Sequence, residues 1–166
     1  MSQIVDSIAG VVQPWADFYG HHKSVSDAIT WLHLSALLVG GGAAVTADRR
    51  VLGLGNADTG DLRRGLSELA RTHKTVIAAL TVSVLTGVSM LLSDVKTFLV
   101  SPVYWTKMSL VLLLLLNGYV LTRTEQRLGG DPSPTNLLWK RLSFGALISI
   151  TLWVSITLAG VVLVNS

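Results

Sequence analysis

The chain has 166 residues, 50% of them hydrophobic and only 14% charged, with a mean hydropathy of +0.55; this balance excludes an ordinary soluble domain and points to a membrane protein. It contains no cysteine, which removes disulfides, thiolate metal sites and thiol chemistry together. A net charge of +3 and a pI near 9.5 would suggest nucleic acid in a soluble protein, but here the basic residues fall between apolar runs, so membrane topology accounts for them and no nucleic-acid partner is expected.

Residues 1–27 read as an N-terminal amphipathic interfacial segment. Ile4, Val5, Ile8, Val11 and Val12 recur at helical spacing beside Asp6, Ser7 and Gln13, the pattern of a short helix lying along the membrane surface. Pro14 is expected to end it. The segment has neither the basic leader nor the small-residue cleavage site of a signal peptide. Trp15, Phe18 and Tyr19 suit the headgroup layer, His21, His22 and Lys23 mark the aqueous side, and Ser26 or Asp27 can cap the helix that follows.

Residues 28–166 read as a four-helix transmembrane domain. The first span, 28–47, carries no charge, holds His33 and the glycine triplet Gly40 to Gly42, and stops on Asp48, Arg49 and Arg50. An apolar run of about 20 residues matches the hydrocarbon thickness of a bilayer. In the connection to residue 75, Gly53 to Asp61 is turn chemistry. Leu62 to Lys74 can be a helix running into the second span, with Leu62, Leu66 and Leu69 on one side. That span, 76–92, is short and is expected to extend at its ends. Asp94, Lys96 and Ser101-Pro102 suggest a brief polar turn before the third span, 103–121, which has Lys107 near its start. Gly129-Gly130-Asp131-Pro132 and Pro134 force a loop, and the last span covers 142–164.

Ten of the thirteen lysines and arginines lie in the connections 48–75 and 122–141. The positive-inside rule then places both connections in the cytoplasm and both termini on the non-cytoplasmic side of a bacterial inner membrane. Backbone groups in lipid must be satisfied within each helix, so the expected fold is all-α, an integral-membrane antiparallel four-helix bundle. Stripes of small residues suggest the packing faces: Ala36, Gly40 and Ala44 on the first span, and Thr151, Ser155 and Ala159 on the fourth.

His33 is the candidate that bears most on function. It lies about 7–8 Å inside the outer end of its span, on the face of Ala36 and Gly40, and an ionisable residue inside the membrane invites a functional reading. Two readings stay open. A neutral imidazole is an axial ligand for a b-type haem, with Met90 or Met108 near its level. Alternatively, the ring bonds across helices to a hydroxyl such as Ser89 or Thr157. His73 lies at the opposite end of the membrane and cannot share a haem with His33. Lys107, at the depth of His33, can neutralise a propionate or reach the headgroups. Asn117 is expected to bond across helices. Arg49, Arg50, Arg71 and Lys74 form a basic cluster suited either to anionic lipid or to topology alone. No acidic residue falls within an apolar run, which leaves a transporter unsupported.

The motifs W-L-H-L at 31–34, A-D-R-R-V-L-G at 47–53, T-G at 86–87, S-P-V-Y-W-T-K at 101–107 and L-L-N-G at 115–118 together resemble an uncharacterised family of small bacterial four-helix membrane proteins. More distantly the chain is similar to the membrane domain of copper-resistance D-type proteins and to the bacterial membrane protoporphyrinogen oxidase. The resemblance implies a four-helix bundle and, from the distant relatives, haem association through His33 and Lys107. The oxidase's histidine at the end of the third span is missing here. The residues favour a non-catalytic accessory or structural subunit that packs against other integral membrane proteins in a larger inner-membrane, energy-converting complex. The alternative is a small haem protein in electron transfer or porphyrin chemistry.

Overall fold

The computed structural model describes residues 2–53, 59–130 and 136–164. Its elements are α1 (Ser2–His21), α2 (Lys23–Gly53), α3 (Thr59–Ser93), α4 (Val95–Val100), α5 (Pro102–Gly130) and α6 (Asn136–Val164), with no strand among the described residues. Lys23–Gly53, Arg71–Ser93, Pro102–Leu128 and Leu137–Leu163 are each long and apolar enough to cross a membrane. The protein is therefore an all-α, multi-pass membrane protein. The parts of the two expected loops at 54–58 and 131–135 lie outside the described residues.

The long helices form an antiparallel bundle in which α2 packs against α3 on one side and α6 on the other, and α5 lies along α6. Only a thin contact joins α3 to α5. One end, where α2 passes into α3 and α5 into α6, collects the basic residues and is termed the basic end. The opposite end, bordered by Trp15, Tyr104 and Trp105, is the aromatic end.

Three local expectations need correction. Pro14 does not end the first helix, which continues to His21 with the proline inside it. Proline removes one amide bond, to the carbonyl of Gly10, but Gly10 is exposed and water can satisfy that carbonyl. The Trp15 indole N–H donates to the Ser89 carbonyl at 2.9 Å and Asp6 pairs with Lys96 at 2.7 Å, so α1 is pinned to the aromatic end on both sides of the proline. The break comes at His22, and α2 begins at Lys23. Ser26 and Asp27 therefore fall inside this helix instead of capping a helix at Ala28.

The turn expected between the second and third spans is a short helix, α4. The Asp94 side chain accepts from the Thr97 amide at 3.2 Å and starts it. Ser101 ends it and Pro102 opens α5, the first helical position being where a missing amide costs least.

The third correction concerns α6. Thr151 and Ser155 are turned outward, their hydroxyls bonded to Leu147 and Thr151 carbonyls one turn back. The face that packs carries Leu142, Ala146, Ser149, Trp153 and Ile156, all at most 5% exposed. On α2 the expected stripe does pack, with Ala36, Gly40 and Ala44 buried. Ala79 on α3 and Trp153 on α6 show why two of the three glycines are needed. A Cβ on Gly40 would stand 2.9 Å from that of Ala79, and one on Gly41 would stand 3.1 Å from the Trp153 ring. The indole thus lies against bare α2 backbone, a close approach that glycine alone permits.

Candidate functional site

The buried polar residues gather at two levels. Toward the aromatic end, His33 on α2 is 9% exposed and faces α3. Its Nδ1 lies 3.0 Å from the Ser83 carbonyl and 2.9 Å from Thr86 Oγ1. The Thr86 hydroxyl already donates to the Val82 and Ser83 carbonyls, so its oxygen can only accept from the ring. A carbonyl also only accepts. Nδ1 therefore carries the proton, and Nε2 keeps its lone pair. Gly87 makes room, since a Cβ there would lie 3.3 Å from His33 Cε1.

The Thr86-Gly87 pair of the sequence motif is thus the seat of the imidazole. Of the two open readings of His33, the cross-helix bond is formed, to Thr86 and Ser83. Ser89 and Thr157 instead donate to carbonyls of their own helices. Lys107 on α5 is half-buried and reaches α6, its Nζ lying 3.7 Å from the position of a Cβ on Gly160. It is close enough to His33 for the two to interact electrostatically. Between the two levels Asn117 donates to the Gly145 carbonyl at 2.9 Å, the cross-helix bond expected of it.

At the basic end the residues come from four helices. His73 on α3 pairs with Glu125 on α5 at 3.2 Å, their side chains 23% and 11% exposed. Asp48 on α2 is 6% exposed; Ser149 on α6 offers it a hydroxyl, and His73 and Glu125 lie within electrostatic reach. One carboxyl oxygen, Oδ2, is buried without a hydrogen-bond partner among the described residues. Such a group costs about 1–3 kcal/mol relative to one with a donor. The apolar run ends at Ala47, but α2 carries the next residue into the bundle. Asp48 and the His73–Glu125 pair are the features sequence reasoning missed; helical spacing does link Asp48 to the buried Ala44 and Val51.

Of the four basic residues considered for anionic lipid, the structure brings two together. All four are exposed, but only Arg50 and Arg71 line a cavity of about 370 Å³ between α2 and α3, and Arg49 and Lys74 lie outside its lining. His33 and His73 stand in separate clusters, as their positions in the sequence require.

No family model, curated protein or solved structure matches the chain. The fold alone therefore defines its class, a multi-pass helical membrane protein.

Proposed function

We propose that the protein is a non-catalytic accessory subunit that packs against other integral membrane proteins of a bacterial inner-membrane, energy-converting assembly, with both termini on the non-cytoplasmic side. The observation that carries this reading is how the internal polar side chains are used. His33 ties α2 to α3, Asn117 ties α5 to α6, and His73 and Glu125 tie α3 to α5. These groups act as struts, and the chemistry they could perform is largely committed to holding helices. The outer face of α5, with Leu112, Leu116, Tyr119 and Val120 each at least 55% exposed, is a broad apolar surface available to lipid or to a neighbouring subunit. Purification in a mild detergent, followed by native electrophoresis and mass spectrometry, tests the reading. Co-migration with larger membrane proteins is expected, and isolation only as a lone monomer would overturn it.

A second reading is favoured by one atom. Nε2 of His33 has a free lone pair, and the Nδ1–H bond to Ser83 and Thr86 is the kind of outer contact that orients a metal-binding imidazole. The distant likeness of the chain to the copper-resistance D-type membrane domain and the bacterial membrane protoporphyrinogen oxidase, at His33 and Lys107, points the same way. Nε2 would hold the iron of a b-type haem and Lys107 would pair with a propionate; the haem would supply one-electron transfer. The fit is partial, since among the described residues His33 belongs to no group of three or more histidines and carboxylates that could hold a metal. Purified protein with a Soret band that His33→Ala abolishes would support the haem reading. A colourless preparation would remove it.

A further inference from the structure

The cavity between α2 and α3 has a graded lining. Arg50 and Arg71 stand at its basic-end mouth, Thr46 and Thr72 follow, and Gly42, Ala43 and Thr75 lie at its deep end. From Arg50 to Gly42 is eight residues of helix, about 12 Å. The cavity therefore starts among cations beyond the apolar run and finishes well within it. Its deep end opens sideways: Gly42 is exposed, and a Cβ built on it meets nothing within 4 Å. Arg50 already shares its charge with Glu68, but among the described residues Arg71 makes no ion pair.

We propose that this cavity is a binding site for one anionic phospholipid, its phosphate held by Arg71 and Arg50, and one acyl chain lying along Gly42 and Ala43. Charge and depth select this occupant. A soluble phosphate would use the arginines but leave the deep end, which lies within the apolar run, to water, whereas a zwitterionic lipid would fill the deep end but bring its own cation to the arginines. Cationic pockets between membrane helices at their basic end suit anionic headgroups, each lysine or arginine contributing enough for about a fivefold change in affinity.

Native mass spectrometry of the detergent-purified full chain, titrated with phosphatidylglycerol or with phosphatidylcholine of the same acyl chains, tests the site. Wild type is expected to retain one phosphatidylglycerol at least about fivefold more tightly than phosphatidylcholine. Arg71→Gln should lose about fivefold toward the anionic lipid and little toward the zwitterionic one. Glu68→Gln, which frees Arg50, should strengthen anionic binding. Gly42→Phe should weaken both lipids, because its ring occupies the groove. An unchanged helical circular-dichroism spectrum and elution volume show that this variant is folded, and Arg71→Gln, an exposed change, keeps the test decisive if it is not. Equal binding of the two lipids would overturn the proposal, as would variants that bind like wild type. Displacement of the lipid by millimolar inorganic phosphate would also overturn it and make the cavity a soluble-anion site.

Discussion

The His33 level and the Asp48 level hold comparable sets of buried polar groups and differ in who supplies the partners. Around His33 every partner comes from α3, through a carbonyl and a hydroxyl already fixed by that helix's own geometry. The contact fastens two helices that are closely packed for most of their length. Around Asp48 the groups come from α2, α3, α5 and α6, and the ion pair joins α3 to α5, which otherwise barely meet. Four helices cannot all present ideal geometry to one another, and among the described residues Asp48 Oδ2 is left without a donor. Two neighbouring helices make a satisfied clasp; four make a junction that holds the bundle closed and carries an unsatisfied group.

The largest effect that could break this contrast is at the ion pair. Glu125→Ala should destabilise the fold by about 2–3 kcal/mol, less than the roughly 3–5 kcal/mol for losing one partner of a fully buried pair, because both side chains keep some exposure. Unfolding in mixed micelles would measure it. In a double-mutant cycle His73→Ala should add little to Glu125→Ala; additive losses would mean that the two residues act separately.

His33→Ala should cost somewhat less, about 2 kcal/mol, from a lost cross-helix bond and the space left by the ring. Its effect should be confined to the α2–α3 pair, so hydrogen exchange is expected to rise around Ser83 and Thr86 and to stay unchanged near Glu125. Asp48→Leu has the opposite sign. Replacing a carboxyl with one oxygen that lacks a donor among the described residues by an apolar side chain of similar volume, beside Ala47 and Val51, should raise stability by about 1 kcal/mol. A loss of that size would show that Asp48 is a strut like the others. The smallest change is Thr86→Val, which should cost about 0.6 kcal/mol, the average for one hydrogen bond between membrane helices, since the Ser83 carbonyl still accepts from His33.

Hydropathy made the four spans legible, because a bilayer imposes a minimum apolar length that few other constraints mimic. His33 was legible for the same reason, as the lone histidine in an uncharged run. The face of α6 was not: the helix is apolar nearly all round, so its small residues could be assigned to the core or to the outside, and the bulk of Trp153 against Gly40 and Gly41 decided it. The course of α1 through Pro14 depends on Trp15 finding the Ser89 carbonyl, a contact 74 residues away in sequence. Asp48 was hidden because a boundary drawn at the first charge ends the span, whereas a helix has no reason to stop there. The meeting of His73 and Glu125 requires knowing that α3 and α5 approach at the basic end, which no local pattern encodes.

The length of α3 has one more consequence. Its 35 residues form one unbroken helix from Thr59 to Ser93, about 52 Å long against a hydrocarbon layer of about 30 Å. Roughly the first four turns therefore stand clear of the apolar layer, on the same rigid rod that seats the His33 ring. Whatever grips that projecting stem from the water holds a handle on the middle of the bundle, and a tilt imposed there would pass along α3 to Ser83 and Thr86.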